Sequence, residues 1–419
     1  MVRIKRIEVK NFKSFKDLKV DLGKFNLIIG ANASGKSNFV SIFKFLKDIA
    51  TLGLDNAISL QGGIEYLRNM SIGASEPLSV KIVCELEQPP TVPRFFKTDA
   101  DLININVYET IYEFALGFNG KGSEFMIIKD ELRQKCRFLR LKSLREKSEE
   151  IKILGDGEIV ISRRGEKIKV GLNLPEKVPL KKEHILPLFF QEGKLSEHEL
   201  LMETKYFSIP VIGKISIYDF DPKLSKEAVP ITGKAELEED GSNLSIILKN
   251  ILENKESRRK LFNLVKNILP FVEDLDIEKF PDTSLLFKLK ESYFKAQYLP
   301  ASFISDGTIN TIALIIALYF EKKPFIIIEE PERNIHPSLI SRVVEMMKDA
   351  SKTQKKQIIV TTHNPEFVKY AGLENILLIS RDKDGFSRIS RPADKAEIKT
   401  FLKNNIGIEE LYLQNLLEV

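Results

Sequence analysis

Residues 30–37 read Gly-Ala-Asn-Ala-Ser-Gly-Lys-Ser and fill every fixed position of the pattern G-x-x-x-x-G-K-[ST]. Backbone N–H groups of such a turn, backed by a helix N-terminus, converge on a phosphate. In that chemistry Lys36 reaches the β- and γ-phosphates of a nucleoside triphosphate and Ser37 holds Mg2+. Two later stretches end in groups able to act on the same phosphates. Residues 325–328 (Phe-Ile-Ile-Ile) run into Glu329-Glu330. There Glu329 can hold the water shell of the metal, and Glu330 can orient and deprotonate an attacking water. Residues 358–362 (Ile-Ile-Val-Thr-Thr) run into His363, which can sense or polarise the γ-phosphate. Ser305-Asp306-Gly307 heads an apolar helical stretch, which makes it an anion site of N–H groups plus a hydroxyl.

These groups need elements that bring them together. Residues 25–29 form an apolar run suited to a buried parallel strand, and Phe39, Val40, Ile42, Phe43, Leu46 and Ile49 recur at helical spacing after the loop. The runs at 325–328 and 358–362 read as further buried strands, with helices over 308–320 and 337–350. Residues 2–29 otherwise alternate like strands, and a second helix spans about 55–69 with Gln61-Gly62-Gly63 inside it. From 78 to 175 the texture changes to strand pieces near 103–118, 123–129, 135–142, 150–154, 158–162 and 166–172. Asn119 to Gly122, Gly155-Asp156-Gly157 and Arg164-Gly165 read as hairpin turns between them. Residues 183–203 read as helix and 206–218 as strand, before α/β character returns near 230. The expected fold class is α/β with an inserted β-rich arm: 1–85 and 231–419 form one nucleotide-binding domain and 86–230 the arm.

Composition narrows the class. Hydrophobic residues make up 43% and charged residues 29%, as in soluble globular domains. The longest apolar run, near 309–320, is too short for a membrane span, and the N-terminus has no apolar signal core. Two widely separated cysteines fit a reducing cytoplasm and give no disulfide framework or zinc site. The net charge of +5 permits nucleic-acid binding without requiring it. Basic residues crowd 129–147, where one strand face could track DNA phosphates or simply be solvated beside Asp130, Glu131 and Glu146. His184 and His198 read as surface residues, and Asp382-x-Asp384-Gly385 as a hairpin turn rather than a nuclease metal pair.

Taken in order, the motifs resemble those of ABC-type ATPases of the SMC, RecF and OLD group, in the branch without a long coiled coil or a Toprim domain. The resemblance rests on Asn11-Phe12-Lys13-Ser14-Phe15, on Ile-Ile-Gly-Ala-Asn-Ala-Ser-Gly-Lys-Ser-Asn at 28–38, and on Ser305-Asp306-Gly307-Thr308 as a signature motif. It extends to Glu329-Glu330-Pro331-Glu332 as Walker B, Asn334 to Pro337 as D-loop and Thr361 to Pro365 as switch histidine. It implies an ABC/RecF-like P-loop NTPase head using ATP and Mg2+, with Gly30, Ala31, Asn32, Ala33, Ser34, Gly35, Lys36, Ser37 and Asn38 around the nucleotide. Glu330, His363 and Lys36 would be catalytic, and Ser37, Glu329 and the Q-loop candidate Gln61 would face the metal. Ser305 and Gly307 of a second copy would complete the site in a head-to-head homodimer. Asp306 departs from the Gly of many signatures, and Glu329 from the Asp of many Walker B segments. The implied role is an ATP-hydrolysing switch in DNA maintenance or defence, acting on DNA or on a separate nuclease or toxin effector. The alternative is a slow-turnover sensor that holds such an effector inactive. No membrane partner and no built-in nuclease are expected.

Overall fold

Apolar runs and alternating runs segregate into different sheets. The computed structural model describes residues 2–86, 94–97, 102–119, 124–141, 151–178, 195–204, 209, 211–279, 283–294, 297–404 and 406–418. The chain begins β1 (Val2–Phe12), β2 (Phe15–Asp21), β3 (Phe25–Ile29), α1 (Lys36–Leu52), α2 (Leu54–Leu60), α3 (Ile64–Leu67), β4 (Leu78–Leu86) and β5 (Arg94–Lys97). It continues with β6 (Leu102–Phe118), β7 (Phe125–Leu141), β8 (Ile151–Arg164), β9 (Lys167–Asn173), β10 (Ile215–Tyr218) and α4 (Pro222–Ser225). Next come β11 (Val229–Pro230), α5 (Leu244–Glu253), α6 (Lys255–Ile268), β12 (Val272–Lys279), β13 (Ser284–Glu291) and β14 (Leu299–Pro300). The last elements are α7 (Asp306–Tyr319), β15 (Phe325–Glu329), α8 (Pro337–Thr353), β16 (Gln357–Thr361), α9 (Pro365–Ala371), β17 (Ile376–Arg381), β18 (Ser387–Ser390), α10 (Ala396–Lys403) and α11 (Ile408–Leu413).

Two compact units share these elements. The first comprises Met1–Leu22, Ser37–Lys214 and Arg381–Ile389, the second Gly23–Lys36, Ile215–Ser380 and Ser390–Val419. In the first unit an eight-stranded antiparallel sheet runs β2-β1-β4-β6-β7-β8-β9, with β5 added beside β6. Alternation along β4, buried at every second residue, marks a sheet with one covered face. Phe45 of α1 meets Phe12 and Phe114 at centroid distances of 6.0 and 6.4 Å, so the apolar stripe of the helix supplies part of that cover.

The second unit holds a parallel sheet in the order β10-β15-β16-β3-β17. Its inner strands are mostly apolar because both faces are covered: β3 and β16 are buried at every position, with Asn26, Gln357 and Thr361 as their polar residues. Residues 308–318 of α7 are also all buried, which explains a helix apolar on every side. A small antiparallel sheet of β11, β13, β12 and β14 belongs to the same unit.

Several expected boundaries change. The stretch 55–69 is not one helix, because Gln61 ends α2 and the Gly62-Gly63 pair separates it from α3. Gly155-Asp156-Gly157 is no hairpin: the three residues pair with Phe138, Arg137 and Cys136 inside one long β8. A bulge at Leu154 and the Arg137–Asp156 ion pair at 2.8 Å carry the strand past its glycines. Likewise 123–129 and 135–142 merge into β7. Gly165-Glu166 does form the two-residue turn between β8 and β9. Of the helix expected over 183–203, residues 195–203 carry only a short 3-10 turn at Leu201–Glu203, and 179–194, His184 included, lie outside the described residues. Residues 206–214 likewise give no strand where described, only a 3-10 turn at Ile212–Lys214 before β10.

Candidate functional site

Four neighbouring strands of the parallel sheet deliver their next residues to one edge. Tyr218 pairs with Ile328, Glu329 with Thr361, and Thr361 with Ile28. Asp219, Glu330, Thr362 and the glycine-rich turn after Ile29 therefore emerge side by side, where ligands of parallel α/β sheets bind. Backbone hydrogen bonds tie the edge together: Glu330 N–H donates to Thr361 O at 2.9 Å and Thr362 N–H to Ile28 O at 3.0 Å.

The phosphate-loop geometry explains its composition. Gly30 has φ 155°, and a methyl there would fall on the Ile379 carbonyl oxygen and 2.7 Å from Ser34 Oγ. Ala33 takes the left-handed region at φ 62°. The Lys36 ammonium folds back on the loop, donating to Gly30 O at 2.7 Å and Ala31 O at 3.1 Å. Its burial holds the amine below the usual lysine range, against the pull of Glu330 and Glu332. A half-buried ammonium whose hydrogen bonds among the described residues go to loop carbonyls matches a polyphosphate, to which those bonds can be surrendered. Tyr412 of α11 also reaches this turn, through a hydrogen bond with the Gly30 backbone.

Beside the loop stands a carboxylate cluster. Glu330 has φ 43°, which turns it out of the strand's alternation. His363 Nδ1 lies 3.1 Å from its Oε1, and Arg333 Nε donates to its Oε2 at 3.1 Å. Arg333 also forms an ion pair with Asp219 at 2.5 Å. Burial is the largest influence on Glu330 and pushes its carboxyl up, but the bonds from Arg333 and His363 together hold it below the ordinary range. It is thus a charged acceptor at neutral pH. Glu332 is buried, accepts from the Thr362 hydroxyl and is pushed up by that burial, as suits a structural carboxyl. Glu329 ends β15 half-buried.

Ser305 caps α7, its Oγ accepting from Thr308 N–H at 3.2 Å. Gly307 packs on the Asn334 carbonyl with no room for a Cβ, and Asn310 Nδ2 donates to Arg333 O at 2.9 Å. The head of α7 is thereby fastened to the loop that follows Glu330. His336, inside the stretch that resembles a D-loop, is the N-cap of α8. Ser37 and Asn38 are the next residues of α1 and belong to the first unit, where the Asn38 amide donates to Ser14 Oγ at 2.8 Å. Gln61, also of the first unit, is a half-buried residue closing α2.

Arg333, Asp219 and Lys226 were not singled out from sequence. Arg333 directly follows the Glu-Glu-Pro-Glu run and could have been weighed there; Asp219 and Lys226 act over separations that carry no local signal. Among the basic residues of β7, Lys129 pairs across strands with Glu113 at 2.8 Å, Lys135 with Glu109 at 2.7 Å and Arg133 with Glu158 at 3.4 Å, and Arg133 also meets Glu131 of its own strand at 3.1 Å. Lys142, Arg145 and Lys147 lie outside the described residues. Asp382 accepts from the N–H groups of Asp384 and Phe386, which is the hairpin turn expected there. His198 is exposed and pairs with Asp55 at 3.0 Å. No helix among the described residues is long and apolar enough to cross a membrane.

A family model described as an AAA ATPase domain matches residues 2–368. The chromosome partition protein Smc of Methanocaldococcus jannaschii is 25% identical over 294 residues, covering 66% of this chain and 23% of that protein. The chain thus spans about a quarter of the length of that relative. Among solved structures, an Smc head bound to the C-terminal winged-helix domain of ScpA superimposes with a TM-score of 0.51, at 16% identity over 92% of this chain and 97% of that one. An Smc head with extended coiled coil from Pyrococcus furiosus, bound to the C-terminal domain of ScpA, gives 0.49 at 14% identity over 96% and 100%. The architecture is that of a P-loop NTPase, of the SMC-head type.

Proposed function

The chain belongs to the AAA ATPase domain family, and from that premise we propose that it is an ATP-hydrolysing switch that dimerises on ATP. The observation that carries this reading is the convergence of the Lys36 turn with Glu330, His363 and Arg333 at one sheet edge. Lys36 exchanges its loop carbonyls for the β- and γ-phosphates. Glu330, ionised and turned out of the strand, accepts the proton of the attacking water. His363, hydrogen-bonded to Glu330 through Nδ1, keeps its other ring nitrogen as the group that would meet the γ-phosphate. The hydroxyl of Ser37 and the carboxylate of Glu329 are hard oxygen donors suited to Mg2+, which would neutralise phosphate charge there. Gln61 stays a candidate for that same role.

In this reading Ser305 and Gly307 of a second copy close over the nucleotide, so that two ATPs are held between two chains. The cap at Ser305 and the fit of Gly307 on Asn334 support it, because they fix the turn that must face the partner's phosphates. The output passes to DNA or to a separate effector such as a nuclease or toxin. The name of the Smc relative favours a DNA-linked process, and the arm over 86–230, which includes the long strands β6, β7 and β8 of the first unit, offers the platform. The cross-strand pairing of β7 favours a protein partner for that strand over a DNA track.

The test is steady-state ATP hydrolysis by the full chain with and without duplex DNA at low salt. Glu330→Gln should lower turnover about 10²- to 10⁴-fold and accumulate ATP-bound dimer. Unchanged turnover in that variant would remove Glu330 from the mechanism.

A further inference from the structure

The head of α7 carries a negative charge where the proposed phosphate contact lies. Asp306 is the first residue of the helix, between its cap Ser305 and Gly307. A carboxylate in a first turn is favoured by the helix dipole, but it repels any phosphate approaching the same N–H groups. The charge is answered from elsewhere in the unit. Lys226 donates its ammonium to Asp306 Oδ1, and the two side chains are 20% and 37% exposed.

The ammonium comes from a fixed backbone. Asp221 caps α4 by accepting from Lys223 N–H at 2.9 Å, and Ser225 Oγ donates to Gly241 O at 2.9 Å. Lys226 N–H closes the turn onto the Pro222 and Lys223 carbonyls, each at 3.2 Å. An anchored, four-fifths buried lysine is a standing partner for Asp306 rather than one of many solvent conformers.

We propose that Lys226 is a positioning residue: it neutralises Asp306 so that the Ser305-Asp306-Gly307 turn can close on the triphosphate held by a second copy of the chain. This rests on the ATP-sandwich reading and adds the group that makes an acidic signature turn compatible with it. Without Lys226 the turn offers a hydroxyl and N–H groups beside an uncompensated carboxylate. With it the turn is close to neutral and the helix dipole decides.

The experiment is an ATP titration of dimer formation, read by light scattering with Mg2+ present, in full-length protein carrying Glu330→Gln. Lys226→Ala should raise the ATP needed for half-maximal dimer about tenfold, less so as salt is added. Lys226→Arg should recover most of the loss. Adding Asp306→Asn to Lys226→Ala should restore assembly to within about twofold of the parent, because no charge is then left to answer. A merely structural Lys226 would give a double variant no better than the single one, with both melting lower. That result, or an unchanged Lys226→Ala, overturns the inference. Failure of the parent to dimerise with Lys226 intact overturns the sandwich reading itself, and the inference with it.

Discussion

Replacing Asp130 by asparagine should remove a pH dependence of stability. Asp130 lies in β7 and is 2% exposed. Its Oδ1 accepts from the Tyr112 hydroxyl and its Oδ2 from Leu201 N–H, both at 2.8 Å, so it holds residues 195–204 onto the long strands. Burial pushes the carboxyl up from 3.8 to about 6, although the Leu201 and Tyr112 hydrogen bonds and the Arg163 charge pull it down. A carboxyl raised on folding keeps its proton at pH values where the unfolded chain has lost it. Its contribution is complete below the unfolded value, near 4, and is lost as pH rises through about 6. At about 1.4 kcal/mol per pH unit the loss between pH 4 and 8 is about 2–3 kcal/mol, or about 4–9 °C in Tm for a unit of roughly 200 residues. An amide has no proton to lose; its oxygen can accept from Leu201 N–H while its nitrogen donates to the Tyr112 oxygen. Thermal melts of both proteins across that range should therefore diverge, the variant gaining on the wild type as pH rises. Glu203, pushed up to about 7 chiefly by burial and least by the Asp130 charge, acts with the same sign in both, so most of its effect cancels. A Tm difference that stays flat with pH would refute the argument.

Lys36→Ala should abolish ATP binding in calorimetry, and retained binding would end the phosphate-loop assignment. Ser305→Arg should block the ATP-dependent dimer in sedimentation while monomer affinity for ATP stays within about twofold, since no protein bond of Lys36 or Glu330 reaches it. Arg333→Ala should move the acid limb of the pH–rate profile upward, because Glu330 then loses one of the two partners that hold it down against burial. An unmoved limb would show that Arg333 does not hold that carboxylate.

What sequence reading captured here was chemistry coupled to short-range order. Strands β3, β15 and β16 carry mostly apolar runs because both faces are covered, so the runs were legible, and so were the residues that leave their ends. The head of α7 at Ser305 was legible for the same reason, since its cap sits beside the residues it caps. The misses have a different physics. Gly155 and Gly157 have turn chemistry, yet the ladder to β7 overrides it. Arg333 meets Asp219 across 114 positions and Lys226 meets Asp306 across 80, and only the folded chain sets such encounters. Pairing of the β7 cations required a register that no single strand announces.

Glu330 holds a further consequence. Its φ of 43° is a conformation that glycine or asparagine adopts more readily than glutamate, at a difference of about 1 kcal/mol. Substitutions that would silence the proposed site can thus make the protein sturdier. A library selected for melting temperature or soluble yield alone would drift away from glutamate at 330 and enrich well-behaved, inert molecules. Directed evolution of this scaffold needs a turnover-coupled readout from its first round.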